Sequence, residues 1–189
     1  MFLDLVKANR SYRRFFENEA MTRDQLLTLV DYARQTPSGA NKQALKYFLS
    51  NTKELNDKIF PTLAWAGYLT DWPGPEEGER PSGYIVVLQK EGFKMATPAD
   101  SGIAAQTILL GAVELGFGGC IIASIQKEKL REALGISENY EIVLVIALGK
   151  PKEKVVIDEI ERDGDIKYWR DEEAIHHVPK RKLKDMIIN

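Results

Sequence analysis

An α+β fold is what this sequence predicts, and three observations predict it. Two nearly uncharged runs, Tyr84–Gln89 and Glu141–Leu148, read as interior strands. Stretches with apolar residues at helical spacing, Leu26 to Ala33 and Ile103 to Val113, lie between and before them. Of the 189 residues, 44% are hydrophobic, which is enough for one core, so a single domain over 1–189 is expected.

Taken in order, Phe2 to Lys7 reads as a short helix that delivers the chain into a basic cluster. Thr22-Arg23-Asp24-Gln25 is a capping box, opening a helix with Leu26, Leu27, Val30 and Ala33 on one face. Pro37-Ser38-Gly39 ends that helix and begins a loop of small and polar residues. Tyr47 to Ser50 is a short strand, and Thr52 caps a helix running to about Phe60. The region 65–83 includes Trp72-Pro73-Gly74-Pro75 and three glutamates, an acidic surface loop expected to border a substrate site. Thr97-Pro98 starts the next helix, and no residue between Asp100 and Glu114 is charged. A helix apolar all round belongs at the centre of the fold or at a subunit interface. Its small residues Gly102, Ala105 and Gly111 permit close approach, while Gln106 and Thr107 need partners. Gly116-Phe117-Gly118-Gly119 then turns the chain into the buried strand Cys120-Ile121-Ile122, and a helix from about Gln126 stops at Gly135. From about 152 to 189 the chain is a charged, extended segment without a clear period. It ends in Met186-Ile187-Ile188, an apolar stub that requires burial, of the kind that docks on a neighbouring subunit.

Composition removes several function classes. A net charge of −2 argues against general nucleic-acid binding, which needs a broad basic face. The single Cys120 forbids an internal disulfide and fits a reducing compartment, and the adjacent His176 and His177 do not form a zinc pattern. No run is apolar enough to span a membrane, and the N-terminal segment, carrying Asp4, does not resemble a signal peptide. A cytoplasmic protein is expected.

Against that slightly acidic background stand two cationic clusters, Asn9-Arg10-Ser11-Tyr12-Arg13-Arg14 and Pro179-Lys180-Arg181-Lys182. Guanidinium forks match the oxygens of phosphate, so a phosphate-bearing ligand is the first expectation. The glycines at 116–119 do not supply a dinucleotide fingerprint, because a helix precedes them and a strand follows, the reverse of the required order. There is no P-loop, and no nucleophile elbow surrounds Ser38 to support a hydrolase triad with the histidines. The segment Pro37-Ser38-Gly39-Ala40-Asn41-Lys42-Gln43 exposes backbone N–H groups, and its two amide side chains suit the edge of a flat heterocycle. A plain helix-to-strand turn is the competing reading.

These segments, in this order, resemble the nitroreductase family of flavin mononucleotide (FMN) enzymes. Arg10-Ser11-Tyr12-Arg13-Arg14-Phe15 is similar to the family's N-terminal basic element, and Pro37-Ser38-Gly39-Ala40-Asn41-Lys42-Gln43 to its Pro-Ser-x-x-Asn-x-Gln loop. Asp100 to Gln106 with Leu115-Gly116-Phe117-Gly118 resembles the central dimer helix and its exit. Leu134-Gly135-Ile136, Ala147-Leu148-Gly149-Lys150-Pro151 and Pro179-Lys180-Arg181 match later landmarks. The resemblance implies a central, mainly antiparallel sheet flanked by helices in an intertwined homodimer. It implies FMN held at the phosphate and ribityl chain by Arg10, Ser11, Arg13 and the Lys180, Arg181, Lys182 cluster. Pro37, Ser38, Asn41 and Gln43 would contact the ring, in part across the dimer interface, with the backbone of Ala123 and Ser124 at its N5 edge. The implied activity is ping-pong hydride transfer from NADH or NADPH through FMN to a small acceptor such as a nitroaromatic or quinone, with no catalytic side chain and no metal. Asn9 in place of an arginine, Ala44-Leu45 in place of Pro-Trp and the non-acidic Ala123 depart from the family pattern. A flavin-binding sensor without turnover, reductive dehalogenation and flavin breakdown are the alternative readings.

Overall fold

The computed structural model describes residues 1–92 and 98–189. Helices α1 (Phe2–Ala8), α2 (Arg23–Arg34), α3 (Lys53–Ile59), α4 (Pro98–Glu114) and α5 (Lys127–Leu134) surround a five-stranded sheet. Its strands are β1 (Phe15–Phe16), β2 (Leu45–Ser50), β3 (Gly83–Lys90), β4 (Gly118–Ile122) and β5 (Tyr140–Pro151). All pairings in it are antiparallel. β5 pairs with β3, which has β2 on its other edge, and β5 also pairs with β4 and, at its C-terminal end, with β1.

Strand alternation divides the core into two layers. Ile85 and Val87 of β3 face α2 and α4, packing with Leu26, Leu29, Ala104, Ile108 and Ala112. Tyr84, Val86 and Leu88 face the other way, toward Ile59, Leu130 and the free Cys120. The expected capping box at Thr22 is present: Gln25 N–H donates to Thr22 Oγ1 at 3.2 Å and Thr22 N–H to Gln25 Oε1 at 2.8 Å. Gly135 ends α5 in the left-handed conformation, with φ of 63°. Gly119 is required for a different reason. A Cβ there would lie 2.2 Å from the carbonyl oxygen of Ala147, so the glycine-rich turn serves close strand packing.

The structure corrects some expectations and sharpens others. The buried face of α2 is Leu26, Leu29 and Ala33, whereas Leu27 is 48% exposed, since position 27 lies a hundred degrees round from 26. Helix α4 is buried in its own chain on one face only, through Ala104, Ala105, Ile108 and Leu109, while Ile103 is exposed on another. The expected cap at Thr97 lies outside the described residues. In the acidic loop, Pro75, Glu79 and Pro81–Gly83 are buried. Glu79 is anchored by Arg14 and by Lys152, 2.7 Å away, and the Arg14 hydrogen bond lowers its carboxyl to about 2. The charged tail is not structureless. It forms a second sheet from β6 (Val155–Ile160), β7 (Trp169–Arg170) and β8 (His176–Arg181), with β8 central, parallel to β6 and antiparallel to β7. The apolar stub Met186-Ile187-Ile188 is exposed in the single chain, where a docked neighbouring subunit would have to supply its expected burial. Among the described residues, no helix is long and apolar enough to cross a membrane.

Candidate functional site

After α1 the chain runs extended along β4, where Tyr12 N–H donates to the Gly119 carbonyl at 3.1 Å. The buried Glu153 fixes this segment from the other side. Its carboxylate accepts the N–H groups of Arg13 and Arg14 and receives Arg170 Nη2 at 3.0 Å. With the backbone pinned, the side chains of Arg10 and Arg13 reach a cavity of about 340 Å³. Arg10 Nη2 donates to the Val6 carbonyl at 2.8 Å, and its buried Nε has no partner. Arg13 lies 5.0 Å over the Tyr168 ring and 3.3 Å from His176 Nε2.

The far wall comes from the second sheet. His176, Val178 and Lys180 line the cavity at alternate positions of β8, as one face of a strand must. Gln106 and Leu109 of α4 close it. No carboxylate is among these lining residues, so three cations, Arg10, Arg13 and Lys180, face one space without neutralisation from its walls. His176 is buried, and its Nδ1 has no partner among the described residues. Burial, Arg13 and Arg170 together lower its imidazole to about 4, which keeps it neutral near pH 7.

The loop after α2 has a stored shape. Ser38 Oγ accepts Gln43 N–H at 3.1 Å, and the Asp100 carboxylate of α4 accepts Gly39 N–H at 3.0 Å. These bonds hold Ala40, Asn41 and Gln43 at φ of 49°, 52° and 49°, the left-handed region that non-glycine residues enter at a cost of roughly 1–3 kcal/mol each. Pro37, Ser38 and Gln43 line a cavity of about 460 Å³ with Leu27, Val30 and Tyr47, and Asn41 is exposed at the loop tip. That cavity shares no lining residue with the cationic one.

Ala123 and Ser124 follow β4, exposed, and border a third cavity of about 150 Å³ with Trp65, Ala66 and Gly67. Arg13 and Ile121 line both this space and the cationic one, so the two adjoin. The structure therefore brings Arg10, Ser11, Arg13 and Lys180 together, sets Ala123 and Ser124 beside them, and puts Pro37, Ser38, Asn41 and Gln43 elsewhere on the same chain. Arg181 and Lys182 turn away: Arg181 Nε donates to the Arg162 carbonyl at 3.0 Å, and Lys182 pairs with Glu161. Sequence reasoning missed Tyr168 and His176 as wall residues. Gln106, an uncharged polar exception on an apolar helix, was the one local signal.

A model of the nitroreductase family matches residues 6–73 and 78–150. The chain belongs to that family. YodC of Bacillus subtilis (strain 168), which bears the name of an NAD(P)H nitroreductase, is 25% identical over 178 aligned residues, covering 78% of this chain and 88% of its own. A crystal structure of a nitroreductase family protein from Clostridium novyi NT superposes with a TM-score of 0.66 at 28% identity, covering 80% of this chain and 86% of that one. A Clostridium difficile R20291 structure described as an FMN-dependent nitroreductase shares the fold, with a TM-score of 0.62 at 23% identity over 80% of this chain and 91% of that one. Arg10, Ser11, Arg13, the strained loop, Ala123 and Ser124 all fall within the stretches matched by the nitroreductase family model, and Lys180 falls beyond them.

Proposed function

We propose that this chain is an FMN-dependent oxidoreductase, reduced by NADH or NADPH and reoxidised by a small acceptor such as a nitroaromatic or quinone. The observation that carries the reading is the cavity with three cations and no lining carboxylate in a protein of net charge −2. The residues fit the phosphate of FMN on two further counts, since Arg10 and His176, which line that cavity, each bury a polar atom, Nε and Nδ1, without a partner among the described residues. The names borne by the relatives support the same chemistry.

Arg10, Arg13 and Lys180 supply fixed charge for the phosphate, with Ser11 adding a hydroxyl. The neutral His176 supports this group without adding a proton, and Tyr168 holds Arg13 in place from its face. Ala123 and Ser124 present backbone at the edge of the adjoining space and would hold the isoalloxazine ring there. Pro37, Ser38, Asn41 and Gln43 contact that ring from a second copy of the chain, which accounts for their separation from the cationic cavity here. The uncovered surface suits such a homodimer: Ile103 of α4, Phe2 and Leu3 of α1 and the tail from Met186 to Ile188 are all exposed. The region 65–83 borders the acceptor space through Trp65 to Gly67.

When bound, FMN supplies a two-electron carrier that accepts hydride from the nicotinamide and passes it to the acceptor in alternating half-reactions. No nucleophile is required of the protein. The Cys120 thiol is fully buried and pushed up to about 12 by that burial, which removes it from chemistry. The test is the visible spectrum of the purified protein, with mass identification of the released cofactor. Anaerobic mixing with NADH or NADPH should then bleach the flavin, and a flavin that stays oxidised with both would refute the proposed activity.

A further inference from the structure

A fourth cavity, of about 160 Å³, opens between the residues after β1, helix α3 and the entry to β3, and shares no lining residue with those above. Three of its lining side chains each bury a polar atom that has no partner among the described residues: Tyr84 Oη, Ser82 Oγ and Arg80 Nε. Tyr84 is wholly buried and Ser82 is 5% exposed. Native interiors leave few such groups unpaired, and three on residues that line one space call for a common partner.

The lining charges balance, Lys53 and Arg80 against Glu17 and Asp57, so the uncommitted hydrogen-bonding groups decide what that partner is. Asp57 is taken by Lys53 Nζ at 2.7 Å. Glu17 Oε2 accepts the backbone N–H groups of Gly78 and Arg80 at 2.6 and 3.3 Å. Asn56 is used on both sides, accepting from Ser50 Oγ at 2.7 Å and donating to the Ser82 carbonyl at 3.0 Å. What remains is Arg80. Its guanidinium lies 4.4 Å over the Phe60 ring and makes no ion pair or side-chain hydrogen bond among the described residues. An uncommitted guanidinium beside two hydroxyls is a donor set for oxygen anions, because all three offer hydrogen atoms and one carries charge.

We propose that this cavity binds a small oxyanion, the carboxylate or phosphate group of a compact metabolite, at a site separate from the one assigned to FMN. Arg80 supplies the charge, Tyr84 and Ser82 the directed hydroxyls, and Phe60 holds the guanidinium plane. The volume admits a group of a few heavy atoms and excludes a nucleotide. Phe60 also packs on Trp65, with ring centroids 5.7 Å apart, and Trp65 lines the space beside Ala123 and Ser124. An occupant at Arg80 therefore lies two aromatic contacts from the proposed acceptor space.

The experiment is a titration of the ¹⁵N-labelled protein, as purified, with sodium phosphate and separately with sodium acetate, at ionic strength held constant with sodium chloride. The reporter is the Arg80 Nε–H resonance, assigned by its loss in Arg80→Gln. A saturable shift is expected with one or both anions. It should persist in Arg10→Ala and weaken by about tenfold in affinity in the double variant Ser82→Ala, Tyr84→Phe, which deletes two hydroxyls that have no protein partner to lose. Saturation by acetate assigns a carboxylate ligand, and saturation by phosphate alone assigns a phosphate group. If neither anion gives a saturable shift, or the double variant binds as the parent does, the proposal is overturned and the cavity holds only water. Because the double variant keeps the Arg80 reporter, a failure of Arg80→Gln to fold leaves the test intact.

Discussion

Replacing Arg10 by alanine tests the proposed phosphate site most directly, because the structure isolates what is lost. The guanidinium makes one side-chain hydrogen bond, to the Val6 carbonyl, and no salt bridge among the described residues, so the fold depends on it little. Its Nε is buried in the cationic cavity without a partner, so a phosphate there gains a charge-assisted bond that the apo-protein does not make. Such a bond is worth about 1.5–3 kcal/mol, which is roughly ten- to a hundredfold in FMN affinity. Lys180→Ala should cost less, about 0.5–1 kcal/mol, because the side chain is exposed and screened by solvent. Lys182→Ala should change nothing measurable, since that ammonium is committed to Glu161. The assay is quenching of free FMN fluorescence on titration with apo-protein, with the thermal midpoint as the folding control. Equal affinity in the parent, Arg10→Ala and Lys180→Ala would show that the phosphate lies elsewhere.

Other consequences are equally open to measurement. His176 is held near 4 in the folded chain against 6.5 in the unfolded one, so the unfolded state takes up its proton first as pH falls. Stability should therefore drop by about 2–3 kcal/mol between pH 6.5 and 4, and His176→Gln should flatten that stretch of the urea-midpoint curve. The neighbouring His177 works in the opposite sense: burial pulls it down, but Asp158 and Asp171 outweigh burial and raise it, so the comparison must be made between the two proteins and not read from one curve. A charge on the exposed face of α4, Ile103→Lys, should shift sedimentation from dimer to monomer with the fold retained, whereas a charge at Ile108 strikes the chain's own core and unfolds it. Undiminished dimer in Ile103→Lys would remove α4 from the interface. Asn41→Ala should slow both half-reactions in anaerobic stopped-flow while leaving the melting temperature within a degree or two, and unchanged rates would detach the strained loop from the ring.

The parts of the fold that were legible are those where a local pattern and the tertiary environment agree. β3 and β5 are covered on both faces, so their sequences are continuously apolar and need no partner to be recognised. Helix α2 announces its start through Thr22 and Gln25, a contact made within a single turn. β6 and β8 carry no such signal. They pair in parallel with Glu159 opposite Lys180, the exposed positions of β6 mix Ile157 with Glu159, and their sheet has three strands, so no clean alternation shows in the sequence. That omission accounts for the ambiguity in the site. Without a strand at 176–181 there was no means of choosing among Lys180, Arg181 and Lys182. With it, the geometry puts Lys180 alone of the three on the cavity wall, because His176, Val178 and Lys180 share one face, Arg181 falls on the other and Lys182 pairs with Glu161. The cationic cluster after α1 was readable as composition, yet its cavity was not, since the opposite wall comes from more than 150 residues later, held there by Glu153 bridging the Arg13–Arg14 backbone to Arg170. A buried carboxylate in a charged run looks like any surface glutamate in the sequence. Only the fold shows that it joins the two ends of the chain and so makes the three cations converge.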